Sequence, residues 1–201
     1  MTSTSTNRLE AFSDGIYAFA ITLLVLEIKA PTAHELEFGH GLWPALARRW
    51  PNYVGFLLSF FIIGIMWINH HAVFVYIRRA DRRLMLANLL LLVGVSFLPF
   101  PTAILAEHLA DPATRTAATV FYGATLVFNS GTYNLLWWAG RTRPQLMDSN
   151  LDRKGLRTIT TRYTLAFFCY AAATCLALVN VWLSLMIHLA LGLTNARSER
   201  R

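Results

Sequence analysis

Long apolar stretches alternate along the chain with short polar segments that are mostly basic, and the length of those stretches carries the first inference. A hydrocarbon layer of about 30 Å needs about 20 apolar residues as a helix, because a backbone removed from water has to hydrogen-bond within its own segment. Residues 9–29, 51–77, 84–106 and 116–139 each read as such a span. Pro51 opens the second at a position where its missing N–H costs little. Pro99 and Pro101 fall inside the third, so that helix is expected to kink or break near Phe100.

The fifth stretch, Tyr163 to Leu193, would be a helix of about 47 Å, too long for one upright crossing and too short for two full ones. Charge arbitrates. A fold-back near Asn180 keeps Arg197, Arg200 and Arg201 on the same side as the basic clusters at 78–83 and 141–162, as the positive-inside rule favours. The expectation is an all-α membrane protein, one domain over 1–201. Its six transmembrane helices lie at about 9–29, 51–77, 84–106, 116–139, 163–179 and 181–195, with both termini cytoplasmic. The polar start "MTSTSTN" does not read as a cleavable signal, so the first span is expected to act as its own targeting element.

Composition agrees with a lipid solvent. Of 201 residues, 55% are apolar and 14% charged, and the mean hydropathy is +0.43, which excludes a disordered chain. Two cysteines cannot staple a domain of this size, and Cys169 and Cys175 are read as small core residues. The net charge of +7 comes from clusters between apolar stretches, "IRRADRRL" at 77–84 and "RTRPQLMDSNLDRKGLR" at 141–157. No base-stacking or groove-reading motif accompanies them, so the partner they imply is membrane lipid and not nucleic acid. Trp43, Trp50 and the Arg48/Arg49 pair mark residues 30–50 as an interfacial anchor.

Chemistry concentrates at one end of the first two spans. Arg8, Glu10, Ser13 and Asp14 fall in the opening turns of the first, where ionisable groups are costly enough to suggest function. Arg8 and Asp14 stand about 240° apart around the helix and cannot simply pair. The second span carries "MWINHH" at a matching depth. Arg8, Ser13, Asp14, Trp67, Asn69 and one of His70 and His71 are therefore expected to form a polar layer that welds the two helices together, beside a pore or not. Beyond Asp14 the first span is apolar apart from one hydroxyl. Phe12, Gly15, Thr22, Leu23 and Leu26 lie within about 60° of Phe19, a stripe that faces lipid, a packing partner or a pore.

The segment "RLEAFSDGIYAFAITLLVLEI", Arg8 to Ile28, holds an R-x-x-x-F-S-D pattern (Arg8, Phe12, Ser13, Asp14). It resembles the first helix of the transmembrane protein 175 family, the lysosomal and endosomal potassium channels and their prokaryotic relatives. "WINHH" and the six-span layout extend the likeness. The resemblance implies a single-repeat prokaryotic member, a homotetramer in the plasma (inner) membrane whose first helices line a central pore. No cofactor is implied, only permeant potassium. It also places the constriction at Phe19, with Leu23 and Leu26 beyond it, and the hydroxyl linked to selectivity at Thr22. This chain has phenylalanine where isoleucine or leucine is expected at the constriction. There is no TVGYG-like segment, so selectivity is expected to be modest.

Two other classes compete. A proton- or cation-coupled secondary transporter would use Asp14 and His70 or His71 as a relay, although its site would ordinarily lie nearer mid-membrane. An enzyme is not expected. His70 and His71 point about 100° apart, His108 and His188 are remote, and neither an H-E-x-x-H pattern nor a nucleophile elbow is present. Glu27, at the far end of the first span, is a candidate for concentrating cations at a pore mouth.

Overall fold

A computed structural model describes residues 4–38, 41–149 and 153–197. The distal arginines Arg200 and Arg201, invoked above for orientation, lie outside the described residues. Strand β1 (Thr4–Ser5) precedes helix α1 (Asn7–Leu23), which tightens into a 3-10 turn at Leu24–Glu27. Two short helices follow, α2 (Ala33–Phe38) and α3 (Leu42–Arg48), where the interfacial anchor was expected. Next come α4 (Trp50–Tyr76), strand β2 (Arg79–Ala80), α5 (Arg82–Phe97), α6 (Pro99–His108) and α7 (Arg115–Arg141). A 3-10 turn at Pro144–Leu146 leads to α8 (Arg153–Leu176) and α9 (Val181–Arg197).

Among the described residues, three segments are long and apolar enough to cross a membrane: Asn7–Glu27, Trp50–Tyr76 and Arg82–His108. The last contains the expected break, two residues earlier than Phe100. Leu98 separates α5 from α6, and both prolines then fall in the first turn of α6, where a missing N–H leaves nothing unbonded. α7 occupies the expected fourth span but falls short of that apolar standard. Its polar side chains are spent inside the bundle: Thr119, Asn129, Ser130 and Thr132 are buried, and Asn134 Nδ2 donates to the Tyr163 carbonyl of α8 at 3.0 Å. α8 starts at Arg153, ten residues before the expected 163, so its first turns are basic.

The chain reverses over residues 177–180. Asn180 Oδ1 accepts from the Leu183 N–H at 3.0 Å, an N-cap that starts α9 without the proline a turn often uses. α9 folds back on α8, with Ser184 Oγ donating to the Ala173 carbonyl at 2.7 Å. Cys175 is exposed and Cys169 half-buried, so the expectation of two core cysteines is corrected: both thiols are free, and Cys175 lies on the outer surface of the hairpin.

Helices approach closely where glycine allows it. A Cβ on Gly94 of α5 would sit 2.5 Å from Asn129 Oδ1 of α7, and one on Gly123 of α7 would sit 2.6 Å from Thr174 Oγ1 of α8. Between α4, α6 and α7, buried Ser59 Oγ lies 2.7 Å from Thr102 Oγ1 and 3.0 Å from the Tyr122 hydroxyl. At the end where α1 begins, β1 pairs antiparallel with β2, Thr4 opposite Ala80 and Ser5 opposite Arg79.

Candidate functional site

α1 presents two unlike faces. Ser13, Tyr17 and Ala20, with Leu24 just beyond the helix, recur every three or four residues and are buried, α1 packing on α4 and α5 while the Tyr17 hydroxyl reaches Tyr133 of α7. On the opposite side Phe12, Phe19 and Leu26 are spaced seven apart and are 52%, 63% and 69% exposed. Seven residues bring an α-helix back to within about 20° of its starting direction, so Phe12 and Phe19 stack as one ridge, which Leu26 continues on the exposed side of the 3-10 turn. Gly15 and Thr22 are exposed on the same side, and Leu23 is half-buried at its edge.

Directed hydrogen bonds lock the buried face. Ser13 Oγ gives its proton to the Leu9 carbonyl at 2.8 Å, and its lone pair accepts from Asn88 Nδ2 at 2.9 Å. That orientation leaves Asn88 Oδ1 to accept from His70 Nε2 at 2.8 Å, which fixes the His70 tautomer with its proton on Nε2. Three helices, α4, α5 and α1, are thus joined by one chain of protons with a single sense. A second chain lies deeper. Tyr133 of α7 donates to the Met66 carbonyl of α4, so the Tyr17 hydroxyl, 2.7 Å away, donates to Tyr133. The Tyr17 and His70 rings lie 5.3 Å apart and connect the two chains.

The residues expected in one polar layer fall into two separate groups. Asp14 Oδ1 accepts from Trp67 Nε1 at 2.8 Å, towards the exposed side, whereas Ser13 and His70 are joined through Asn88. Arg8 does not join: it is exposed, and among the described residues it makes no ion pair. Nor does Asn69, whose buried Oδ1 has no hydrogen-bond partner among the described residues and which lines a cleft with Ser130, Tyr133 and Tyr163. His71 is exposed. Neighbours in "WINHH" point about 100° apart, so one helix face can take Trp67 and His70 but not their immediate successors.

Thr22 and Glu27, singled out in the sequence, have defined surroundings. Thr22 Oγ1 spends its proton on the Phe19 carbonyl at 2.8 Å, which leaves only its lone pairs unused on the exposed face. At the far end Glu27 borders a cavity of about 530 Å³ that is also lined by His34, Glu35, Arg49 and Glu107. The Thr32 backbone N–H, the Thr32 hydroxyl and Arg49 hold the Glu35 carboxyl below the usual carboxylate range, in that order of influence. Among the described residues no group of three or more His, Cys, Asp or Glu side chains is placed to hold a metal.

A family model described as endosomal/lysosomal potassium channel TMEM175 matches residues 8–99. A potassium channel of Streptomyces collinus is 42% identical over 186 residues, 92% of this chain and 89% of its own length. This chain belongs to the TMEM175 family. The segment matched by the TMEM175 model begins at Arg8 and contains Ser13, Asp14, Trp67, His70 and Asn88, so it includes the Ser13–Asn88–His70 chain but not Tyr133 of α7. A TMEM175 relative from Chamaesiphon minutus, also a potassium channel, is 43% identical over 188 residues, 94% of this chain and 92% of that one. The crystal structure of a lysosomal potassium-selective channel TMEM175 homolog from Chamaesiphon minutus superimposes with a TM-score of 0.86 at 38% identity, covering 98% of each chain. The human endosomal/lysosomal proton channel TMEM175 is 32% identical over 142 residues, which is 67% of this chain and 27% of that protein. TMEM175 is an ion-channel family, not a family of enzymes.

Proposed function

We propose that this chain is a subunit of a cation channel with a modest preference for potassium, a homotetramer in which four copies of α1 surround a central pore. The observation that carries the reading is the Phe12–Phe19–Leu26 ridge, left uncovered on a helix whose other face is fixed by two hydrogen-bond chains. Six membrane crossings, both termini in the cytoplasm and a place in a prokaryotic inner membrane complete the proposal. The basic clusters, read by the positive-inside rule, and the potassium-channel relatives support it.

The physical mechanism is dewetting. A ring of four Phe19 side chains would exclude hydrated ions, because removing water from a cation costs far more than an aromatic edge returns. Widening that ring admits partly hydrated ions, which then meet four Thr22 oxygens presenting lone pairs. Such a ring discriminates by size and dipole number and less sharply than a cage of backbone carbonyls. Leu23 and Leu26 extend the apolar wall, and Glu27 adds negative potential beyond it. No cofactor enters this mechanism.

A coupled transporter would need Asp14 and a histidine to exchange a proton. Asp14 instead accepts from Trp67, and His70 donates to Asn88, so the geometry lends the relay no support. The test is to reconstitute the protein in planar bilayers and to measure reversal potentials in opposed potassium and sodium gradients, with Phe19→Ala beside the wild type. Current linear in driving force, a potassium-directed reversal and a several-fold larger conductance in the alanine variant are the expected results. Unchanged conductance would remove Phe19 from the constriction, and saturable flux tied to a pH gradient would favour the transporter.

A further inference from the structure

The link between α4 and α5 carries arginines at 78, 79, 82 and 83, starting two residues after α4 ends and running into the first turn of α5. Both helices belong to segments long and apolar enough to cross a bilayer, so this link is held at headgroup depth. Backbone hydrogen bonds brace it. The Arg78 N–H donates to the Leu146 carbonyl and the Asp148 N–H to the Tyr76 carbonyl, both at 2.8 Å, while Ala80 is buried.

The acids nearby are already committed. Asp81 caps α5 by accepting from the Leu84 N–H at 2.9 Å and also pairs with Arg143, and Asp148 pairs with Arg78 at 3.3 Å. Arg79, Arg82 and Arg83 remain exposed, and among the described residues none of them forms an ion pair. The same link holds the chain's N-terminal strand, since Ser5 is paired opposite Arg79, Thr6 is buried and α1 starts at Asn7.

We propose that Arg79, Arg82 and Arg83 form a site for the headgroup phosphates of anionic phospholipids, and that the β1–β2 pair couples occupation of this site to α1. Guanidinium groups bind phosphate oxygens bidentately, and these three stand on a braced frame at the depth where lipid phosphates lie. The committed acids matter as much as the arginines, because among the described residues no carboxylate pairs with Arg79, Arg82 or Arg83. A basic residue near an anionic surface contributes roughly fivefold in affinity, so three set a ceiling on the order of a hundredfold. The coupling half rests on the reading of α1 as the pore helix, whereas the binding half does not.

Native mass spectrometry of the purified full chain in detergent, titrated with phosphatidylglycerol or phosphatidylcholine of the same acyl chains, tests the binding half without any measurement of flux. R79Q/R82Q/R83Q is expected to retain at least about tenfold less phosphatidylglycerol than the wild type, with phosphatidylcholine unchanged. R79K/R82K/R83K, which keeps the charge, is expected to fall between them. Should the triple glutamine variant fail to fold, R82Q alone is expected to lose roughly fivefold. Equal retention by wild type and a folded glutamine variant overturns the site. Displacement of phosphatidylglycerol by an equal concentration of soluble glycerol phosphate overturns the lipid assignment in favour of a free-anion site.

For the coupling half, cation flux is compared in vesicles of phosphatidylcholine with and without phosphatidylglycerol. Wild-type flux should change several-fold between them, and Ser5→Pro, which interrupts the strand pair, should abolish that difference while keeping lipid retention. Wild-type flux that is equal in both compositions, or a Ser5→Pro variant that still responds, overturns the coupling.

Discussion

The two faces of α1 are built from different materials for different ends. The buried face places a hydroxyl, a phenol and two small or branched apolar groups against three helices, and each proton there has an acceptor. The ridge opposite is aromatic and aliphatic, and the one polar side chain nearest Phe19, Thr22, has turned its proton inward. Hydrogen bonds between helices in a membrane are individually modest, about 0.6 kcal/mol on average, but they are directional. Their service here is to fix the rotation of α1, so that the ridge is held at one angle. The contrast teaches that altering one face should change stability and altering the other should change permeation.

Asn88→Ala should give the largest break in this pattern. It leaves the His70 Nε2 proton without an acceptor and Ser13 without a donor, a loss of about 1–3 kcal/mol. The unfolding midpoint in detergent should fall by several degrees while single-channel conductance, in molecules that fold, stays near the wild-type value. A stable variant with altered conductance would show that the two faces are not separable.

Asp14→Asn comes next. The amide still accepts from Trp67 but loses the charge that strengthens that bond, so tetramer recovery on size exclusion should drop several-fold with ion preference retained. Intact assembly with lost selectivity would move Asp14 from the welding role to the permeation path. Smallest is Thr22→Val, which keeps the shape and removes the oxygen. Thermal stability should be unchanged, because the Thr22 bond lies within its own helix, and the potassium-to-sodium permeability ratio should shift a few-fold towards unity. An unaltered ratio would place discrimination elsewhere on the ridge.

How much of this could be read from the chain differs by element. The helices at 9–29, 51–77 and 84–106 are legible because lipid leaves the backbone one way to satisfy itself, and a run of apolar residues records that demand directly. α7 is harder, since its buried Asn, Ser and Thr side chains look solvent-facing until α5 and α8 are placed against it. The ridge on α1 follows from angle alone. The network beneath it does so only in part: Ser13, Asp14, Trp67 and His70 are conspicuous as polar groups near helix ends, whereas Asn88 is a single amide in "LANLLLL" whose signal was its isolation among leucines. Tyr17 and Tyr133 gave no such signal, because a phenol reads as apolar until its hydroxyl has a partner. The β1–β2 pair joins two dipeptides far apart in sequence, too short for any periodicity to announce them.

The central claim is that the exposed ridge of α1 faces copies of itself around an ion path. Its most direct test is Phe19→Cys in a chain whose Cys169 and Cys175 are replaced by alanine, measured for current in bilayers before and after a charged methanethiosulfonate and for cross-linking under mild oxidation. The account predicts that the reagent abolishes most of the current and that oxidation yields covalent dimers joined through α1. Full current after complete modification, with the chain remaining monomeric on oxidation, would contradict it.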